Sequence, residues 1–558
     1  MAEMFDQTFD VVVVGSGGAA MATALGAVDE HLDVVMLEST DKWGGGTAMS
    51  GGGLWLSNNP LMRRERVADS REAALAYMEA SIGDVGRSTS RARKEAFVDS
   101  VEDFVTTAER YGVEFVRAGE YPDYYPELPG GRIGRAVEVK PLDSKKLGEW
   151  YKTLRLTAPL PIKTDDVWLI QRAWSTWSGF KRGAGVVFRM LGFVGTGRRG
   201  VGIGAALATA MFVGAVQEGG AKLWLNSPAQ ELILDGDRVV GVRVTRDGRV
   251  QNIGARRGVM LAGGGFDRNT ELRQRYHGID GATSGNPGNV GGAISLGQRA
   301  GAALELMDDA WWGASVIGAD GADPAFLVGE RSLPYSIIVD ALGDRFANEA
   351  ESYVDLGHHM LEHDPDGVYW LIGEARHAHR YLRTYALDPR NNKALAAEGS
   401  MAKAATLEAL ARKIGMDPAR LQDTVERFNG FARAGVDDDF GRGKSAYDRY
   451  YGDPSVVPNP NLGPLEKGPF NAYRIVIGDL GTKGGVLTDE HARALREDGS
   501  VIEGLYAAGN NSASVMGRTY PGPGSTIGPA AVFGLRGARH MGGLSAEPIG
   551  AGAASVSA

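Results

Sequence analysis

The first residues of this sequence that could bind a reactive ligand form a glycine turn after a short apolar run. Residues 9–14 end in four consecutive valines, and a turn with the spacing Gly-x-Gly-x-x-Ala begins at Gly15. This spacing is typical of a dinucleotide-binding unit: the first glycine allows a tight turn, the second lets the backbone approach a pyrophosphate, and the small third residue lets a helix pack closely on the strand. Backbone amides at the helix start would face the phosphates. The residues predicted to hold the pyrophosphate are Gly15, Gly17, Gly18, Ala19 and Ala20.

An acidic residue ends the second apolar run. Residues 34–37 are followed by Glu38, at about the distance from the glycine turn where a carboxylate meets a ribose hydroxyl. The glycine turn alone is a weak signal, because glycine-rich strand turns also arise by chance. The turn and the acid together predict a dinucleotide-binding strand-helix-strand unit.

A second glycine cluster, residues 44–53, has no obvious use in a nicotinamide-binding fold. Thr47 and Ser50 provide hydroxyls, and the glycines provide unshielded amides, for a second phosphate and a flavin ring beyond the adenosine half. We therefore predict FAD as the cofactor, with a mobile surface loop as the alternative for this cluster. The predicted contacts are Gly45, Gly46, Thr47, Ser50, Gly51 and Gly52.

Three later stretches offer similar chemistry. Residues 258–265 and 504–510 are apolar runs that end in glycine, and open α/β sheets bind ligands at such strand ends. Residues 519–529 form a Pro-Gly-rich turn before a new helix, whose first amides could face the electron-rich pyrimidine edge of a reduced flavin. The predicted contacts are Gly264, Gly509, Asn510, Ser525, Thr526 and Ile527.

Composition limits the function classes. With 558 residues the chain exceeds a single core, so we expect two domains, and a net charge of −9 argues against nucleic acid as a partner. The chain has no cysteine, which excludes a disulfide, an iron–sulfur cluster and thiol redox chemistry. The electron acceptor must then be a bound organic cofactor. Because no cysteine can attach it, we expect non-covalent FAD, with a histidine link as the alternative.

Strands and helices of an α/β fold must position these residues. Apolar residues at helical spacing predict a helix over 92–110. Three prolines make 121–131 a rigid loop, and an Asp-Gly turn at 235–237 between alternating runs predicts a hairpin. A helix pair is predicted at 406–414 and 417–431, where an Asp-Pro pair starts the second helix.

The character of the chain changes near residue 280 and changes back near 482. Residues 280–481 have longer helical patterns, whereas the last 77 residues return to strands, turns and glycines. We therefore predict an α/β protein with a Rossmann-like FAD-binding domain, discontinuous in sequence (residues 1–279 and 482–558), and an inserted α+β catalytic domain (residues 280–481). The Ala/Gly/Ser-rich tail from residue 549 is predicted to be disordered.

Two features bear on location. The acidic N-terminus enters a strand by residue 9, which leaves no room for a secretory signal, so we expect a cytoplasmic protein. Residues 200–216 are apolar but glycine-rich and shorter than the roughly 20 residues of a spanning helix, so a buried helix is predicted. Contact with a membrane surface is the alternative, because four arginines lie among apolar residues just before this stretch: Arg182, Arg189, Arg198 and Arg199.

The opening strand and turn, the internal strand that ends in glycines, the inserted domain and the 504–510 segment together resemble the flavoprotein superfamily of fumarate reductases. Within it the chain is most similar to the 3-ketosteroid Δ1-dehydrogenases, over residues 9–543. Tyr335, where a small residue is expected, and residues 150–200 depart from the family pattern and leave the steroid's ring and side-chain preference open. The motifs that carry the closer resemblance are residues 50–53, 122–127, 309–313, 345–349 with Tyr353, 478–485 and 519–524.

This resemblance implies FAD as acceptor and a 3-ketosteroid as substrate, which loses hydrogens at C1 and C2 to gain a ring-A double bond in steroid degradation. It also implies roles: Tyr353 as the base, Tyr124 as its supporting phenol, and Tyr520 with the Gly524 amide as a clamp on the C3 carbonyl. Phenols and an amide can do this in a dry pocket, because donors on the carbonyl oxygen acidify the adjacent C–H. For each tyrosine a plain core or rim position is the alternative.

Other interpretations stay open. A Δ4-(5α)-ketosteroid dehydrogenase or a fumarate-reductase-like flavoenzyme would use the same scaffold, and a non-catalytic flavin or sterol binder would leave the flavin oxidised. A dicarboxylate enzyme needs converging arginines, of which the inserted domain's sequence has no convincing cluster. The spacing of His359, Glu362 and His363 matches an inverted zinc-protease motif, which we interpret as a chance match; no metal is predicted. The physiological electron acceptor is not identified.

Overall fold

The computed structural model describes residues 5–157, 160–544 and 554–555. The strands follow this order: β1 (Gln7–Val14), β2 (Val34–Leu37), β3 (Leu54–Trp55), β4 (Phe115–Arg117), β5 (Ala136–Val139), β6 (Leu142–Asp143), β7 (Gly200–Val201), β8 (Lys222–Trp224), β9 (Ala229–Asp235), β10 (Arg238–Arg246), β11 (Arg249–Leu261), β12 (Ala282–Thr283), β13 (Leu304–Glu305), β14 (Ala310–Val316), β15 (Ala325–Phe326), β16 (Ser336–Val339), β17 (Tyr369–Gly373), β18 (Met401–Ala404), β19 (Phe470–Thr482), β20 (Gly485–Val486), β21 (Arg493–Leu495), β22 (Val501–Ala507) and β23 (Ala554–Ser555).

The α-helices follow this order: α1 (Gly18–Asp29), α2 (Gly45–Met49), α3 (Pro60–Arg64), α4 (Arg71–Ile82), α5 (Arg91–Arg110), α6 (Thr164–Gln171), α7 (Trp177–Gly195), α8 (Ile203–Phe212), α9 (Thr270–His277), α10 (Gly292–Arg299), α11 (Tyr353–His363), α12 (Ala375–Arg380), α13 (Pro389–Ala397), α14 (Leu407–Lys413), α15 (Pro418–Ala434), α16 (Ala446–Tyr451) and α17 (Ile527–Gly542).

A nine-stranded sheet carries the glycine turns. β1 lies between β2 and β11 and is parallel to both, and β22 adds in parallel to β11. β9 and β10 extend the sheet beyond β11 as an antiparallel hairpin. Because parallel strands end at one edge, the turns after β1, β2, β11 and β22 lie together, and this edge is where such sheets bind ligands.

A second, seven-stranded sheet is built between residues 282 and 482. Its long strand β19 pairs antiparallel with β14, β17 and β18, and α11 packs on β14. α10, although it falls within residues 280–481, contributes Ala293 and Leu296 to the core of the first sheet. The division of the chain at 280 and 481 therefore stays a prediction.

Small residues let α1 bury itself between the first sheet and α17. Every residue of α1 except Asp29 is buried. Gly26 lies against α17 so closely that a Cβ there would come within 2.9 Å of the Ala538 Cβ. Ala20, the small third residue of the turn motif, is fully buried, as close packing of the helix on its strand requires.

Several local predictions are confirmed. The helix predicted over 92–110 is α5, and the hairpin at 235–237 joins β9 to β10. The predicted helix pair is α14 and α15, and the Asp417 side chain accepts from the Ala419 amide at the start of the second helix. The apolar stretch 200–216 contains the buried helix α8.

Residues 150–200, for which the sequence indicated little, contain α6 and α7, which pack on each other. Among the helices of the described residues, none has the length and apolar character needed to cross a membrane. The tail from residue 549, predicted to be disordered, lies outside the described residues apart from β23, which pairs antiparallel with β9.

Candidate active site

The two glycine clusters near the N-terminus meet at the end of β1. Gly15 has a φ of +115°, and a Cβ there would lie 2.3 Å from a carbonyl oxygen just after β11. Gly45 lies against Gly17, so that a Cβ on Gly45 would be 3.1 Å from the Gly17 Cα. The Gly18 amide donates to the Thr47 hydroxyl over 2.9 Å. Only residues without side chains fit here, so bare backbone lines this edge of the sheet.

Glu38 lies at the end of β2 and is 8% exposed. One carboxylate oxygen accepts from the Thr40 amide at 2.9 Å and from the Thr40 hydroxyl at 2.8 Å, and the other accepts from the Ser16 hydroxyl. The Ser16 hydroxyl in turn accepts from the Gly44 amide at 3.1 Å. The predicted ribose acid is therefore held between the two glycine clusters.

The glycines after β11 and β22 lie at the same edge. Gly509 has a φ of +72°, and a Cβ there would be 3.2 Å from the Ala19 Cβ at the start of α1. Gly264 has a φ of +81°, and a Cβ there would lie 2.4 Å from an asparagine amide oxygen. The side chain of Asn510 accepts a hydrogen bond from the Trp311 indole over 3.3 Å. Segments far apart in sequence thus converge on the end of β1.

The loop after α2 meets the Pro-Gly turn before α17. Gly524 has a φ of +94°, and a Cβ there would lie 2.2 Å from the Gly53 carbonyl oxygen. Gly46 and Gly51, in contrast, have no atom closer than about 3.9 Å to a Cβ position. Gly52 has a φ of +74°. The loop therefore combines tight glycines that fix its path with glycines that leave space beside it.

The two predicted serines are used inside their own loops. The Ser50 hydroxyl donates to the Thr47 carbonyl over 2.7 Å, and the Ser525 hydroxyl donates to the Gly522 carbonyl over 2.7 Å. Thr526 precedes α17, which begins at Ile527, and the sequence predicted a new helix start in this stretch. The two serine side chains therefore stabilise their own loops, and the groups that these loops offer to a cofactor are backbone amides.

Three buried tyrosines form one cluster. Tyr353 and Tyr520 have ring centroids 4.9 Å apart, Tyr124 and Tyr520 5.1 Å apart, and Tyr124 and Tyr353 5.6 Å apart. None of the three is more than 5% exposed. The structure thus brings together residues that are separated in sequence by up to about 400 positions.

Different elements hold the three phenols. Tyr353 is the first residue of α11, so its backbone sits at the positive end of that helix. Tyr124 lies in the rigid loop predicted at 121–131, and its amide donates to the Pro521 carbonyl over 2.8 Å. Tyr520 immediately precedes Pro521, so this bond ties the loop of Tyr124 to the turn of Tyr520.

Burial raises the pKa of all three phenols. For Tyr353 the pKa lies well above its ordinary value, first because of burial and then because of the adjacent Tyr520. Burial also raises the pKa of Tyr124 far above its usual range. Burial raises the pKa of Tyr520, while the neighbouring Tyr353, Thr526 and Gly524 oppose the rise. Gly524 follows Tyr520 by four residues, so the phenol and the amide belong to the same short Pro-Gly turn.

The sequence missed further phenols around this cluster. Tyr447 packs on Tyr124 with ring centroids 4.3 Å apart, and the hydroxyls of Tyr121 and Tyr451 share a hydrogen bond. Tyr447 and Tyr451 both lie on the short helix α16. The one available signal was three tyrosines within residues 447–451. Tyr335 belongs to a separate apolar cluster.

The histidines of the zinc-like motif do not converge. His359 pairs with Glu351 at 2.8 Å and His363 pairs with Asp340 at 3.0 Å, so each histidine has a different carboxylate partner outside α11. Among the residues that the structure describes, no group of three or more His, Asp or Glu side chains could hold a metal ion.

A model of the FAD binding domain family matches residues 10–527, which is most of the chain. The chain belongs to this FAD-binding family. The edge of the first sheet at the end of β1 fits FAD. Glycines from five segments expose backbone amides there, several of them at positions where a Cβ would collide, and the Glu38 carboxylate lies beside them at the end of β2.

Individual relatives agree over nearly the full length of this flavoprotein. It is 42% identical to a 3-oxosteroid 1-dehydrogenase of Mycolicibacterium smegmatis, covering 95% of this chain and 96% of the relative. It is 36% identical to a 4-oxocyclohex-2-ene-1-carboxylate 5-dehydrogenase of Sinomonas cyclohexanicum, covering 96% and 94%. The crystal structure of 3-ketosteroid Δ1-dehydrogenase from Sterolibacterium denitrificans with 1,4-androstadiene-3,17-dione superposes with a TM-score of 0.88 at 36% identity, covering 96% of this chain and 99% of that one. The resemblance noted from the sequence is confirmed.

Proposed function

We propose that this flavoprotein is a 3-ketosteroid Δ1-dehydrogenase that introduces a C1–C2 double bond into ring A. The observation that carries the proposal is the cluster of three buried phenols beside the Gly524 amide, at the glycine-lined edge of the first sheet. Its neighbours are aromatic: Phe326 contacts Tyr353 and Trp311 contacts Tyr520, both edge to face. The Lys483 ammonium above Trp311 is paired with Asp309 at 3.0 Å, so this buried aromatic site favours an apolar ketone over a dicarboxylate.

In this proposal Tyr520 and Gly524 hold the C3 oxygen. The phenol and the amide belong to one short turn, in which Gly524 follows Tyr520 by four residues, so a carbonyl oxygen held at this turn would accept from both. Two donors stabilise the enolate that forms when C2 loses its proton. A substrate held at this point would lie beside Tyr353, whose ring centroid is 4.9 Å from that of Tyr520, and the Tyr353 phenol would act on the C2 proton.

Tyr353 is the proposed base. Burial and the neighbouring phenol raise its pKa, which disfavours the phenolate in the free protein. Its place at the first residue of α11 acts in the opposite direction, because the positive end of a helix favours negative charge. Tyr124, whose ring meets that of Tyr353 edge to face, is the proposed supporting phenol, because a donor to the phenolate lowers its pKa.

The cofactor's part is the removal of hydride: bound FAD supplies the two-electron acceptor for the hydrogen that leaves C1. The proposed contacts are those predicted from the glycine motifs, with Glu38 toward the ribose and the first turn of α17 toward the flavin. The physiological electron acceptor is not part of the proposal. We retain residues 280–481 as the proposed inserted domain.

The test is anaerobic bleaching of the flavin. The purified holoprotein is mixed with a saturated 3-ketosteroid, a 5α-ketosteroid, 4-oxocyclohexanecarboxylate and succinate, and the flavin absorbance is followed. We expect rapid bleaching by a 3-ketosteroid that lacks the C1–C2 double bond, with a Δ1 product. Bleaching by succinate alone, or by no ketone at all, would refute the proposal, and so would a protein that cannot be loaded with FAD.

A further inference from the structure

Helix α7 presents a continuous apolar face to the outside of the molecule. Phe188 and Val194 are each 73% exposed, more than most large apolar side chains among the described residues. At 3.6 residues per turn the exposed apolar residues fall within about a third of the helix circumference. They are Trp177, Phe180, Val187, Phe188, Leu191 and Val194.

The opposite side of α7 is fixed to the protein by charge. Arg182 and Arg189 both form ion pairs with Asp166 of α6, at 3.0 Å and 2.6 Å, and the Asp166 carboxylate is fully buried. Val186 on this side is also buried. Arg182 and Arg189 thus face inward and are paired, whereas most of the large apolar side chains of α7 face outward. This inverts the arrangement expected of a helix on a water-exposed surface.

The charge around this face has one sign. From residue 167 to residue 217 there is no acidic side chain but there are six basic ones, in a chain whose net charge is −9. Lys181 lies at the border of the apolar face with its ammonium 5.2 Å from the Trp177 ring centroid. Arg198 and Arg199 are exposed just beyond the C-terminal end of the helix. A surface that binds here should combine apolar groups with negative charge.

We propose that α7 lies in the surface of an anionic lipid bilayer, with its apolar face among the acyl chains and Lys181, Arg198 and Arg199 at the phosphates. With 19 residues and three charges it suits an interfacial position and not a spanning one. Long basic side chains reach the headgroups while their stems stay in the apolar layer, and tryptophan prefers that boundary.

The apolar face of α7 is connected to the tyrosine cluster through α6. Trp168 of α6 contacts Tyr451 edge to face with ring centroids 5.0 Å apart, and Arg172, just after α6, donates to the Gly452 carbonyl. Tyr451 shares a hydrogen bond with Tyr121, next to Tyr124 in the rigid loop. If the proposed function holds, on which this step rests, binding at this face brings the site close to an apolar ketone dissolved in the bilayer.

The experiment measures binding of the FAD-loaded protein to vesicles of phosphatidylcholine, with and without phosphatidylglycerol, by co-sedimentation. We expect binding to the anionic vesicles, at least about tenfold weaker in the variant F188E/V194E. The control is V250E, which places one of these two charges on a 60% exposed valine of β11, and it should bind like wild type. K181Q/R198Q/R199Q should lose the preference for anionic lipid while keeping weaker binding to neutral vesicles.

Wild-type protein that stays in the supernatant with every vesicle would overturn the proposal, as would F188E/V194E binding like V250E. Gel filtration tests the rival occupant: a dimer that F188E/V194E turns into a monomer, with vesicle binding unchanged, would assign the face to a second copy of this chain.

Flavin bleaching separates the lipid proposal from the proposed function. F188E/V194E should match wild type with a ketosteroid dissolved in buffer and fall behind only with one held in vesicles. If no ketosteroid bleaches the flavin while lipid binding persists, the proposed function fails and the lipid proposal stands.

Discussion

The cofactor edge and the tyrosine cluster lie side by side but are built in opposite ways. At the edge, backbone conformation determines the shape: Gly15, Gly264 and Gly509 have positive φ values, and serine hydroxyls are used inside their own loops. In the cluster, three side chains from distant segments determine the shape, and a bond between Tyr124 and Pro521 holds two of those segments together. A backbone site can be encoded by local spacing, whereas a side-chain site needs the whole fold.

The comparison predicts that cluster variants lose chemistry and keep the cofactor. Y353F should reduce its flavin about 10²–10⁴ times more slowly than wild type, the usual worth of a positioned base. The measurement is stopped-flow bleaching with a 3-ketosteroid, together with the flavin-to-protein absorbance ratio, which should not change. Y473F is the control, because Tyr473 is a buried tyrosine of β19 outside the cluster. A wild-type rate in Y353F would assign the base to another residue.

Y520F removes one of the two proposed donors to the C3 oxygen. Loss of one such donor typically lowers turnover by about 10²–10³. The flavin spectrum should be retained, because the ring of Tyr520 packs on Tyr124, Tyr353 and Trp311 and the substitution leaves that packing in place. Steady-state kinetics with a soluble ketosteroid provides the measurement. Near-normal turnover would reject the clamp.

G15A tests the cofactor edge, and we expect it to weaken FAD binding while keeping the chemistry. Its Cβ would lie 2.3 Å from a carbonyl oxygen at a φ of +115°, which costs roughly 1–3 kcal/mol in strain. We expect FAD affinity to fall by about 10–100-fold, while protein reloaded at saturating FAD recovers its turnover. Equilibrium titration with FAD measures the loss. G236A has a positive φ but no atom within 4 Å of its Cβ, so it should bind FAD normally. Equal losses in both variants would mean that close approach is not the cause.

Y124F should have the smallest effect, about tenfold on flavin reduction, and should change the pH dependence. The base acts as a phenolate, so the rate rises with pH as Tyr353 loses its proton. A donor from Tyr124 lowers the pKa of Tyr353, and its removal should move this rise to higher pH. Flavin reduction measured across alkaline pH in Y124F and wild type would show the shift. A rise at the same or lower pH would remove Tyr124 from its supporting role.

Sequence spacing predicted the backbone site well. The bounds of β2, the start of α17 and the turn at Gly15 follow from apolar runs, glycine and small residues, all of which act within a few positions of one another. The tyrosine cluster was reached only through motif resemblance. The contact of Tyr121 with Tyr451 spans 330 positions, and no local rule connects them.

α7 shows a different limit of sequence analysis. Its apolar residues recur at helical spacing, which is the pattern of a helix packed on a core. Periodicity identifies an apolar face but does not indicate what that face contacts. Only the positions of Arg182, Arg189 and Asp166 show that the charged side faces inward and the apolar side outward.

The packing of α1 on α17 sets the order of events during synthesis. α1 leaves the ribosome early and is buried along nearly its whole length, but α17 is made about 500 residues later. At roughly 5–20 residues per second the first helix waits about 25–100 s for its partner. Throughout that interval the nascent chain lacks a complete cradle for the cofactor. FAD therefore enters a chain that is almost fully translated. We expect a shortage of FAD to increase degradation of finished protein and not to stall translation.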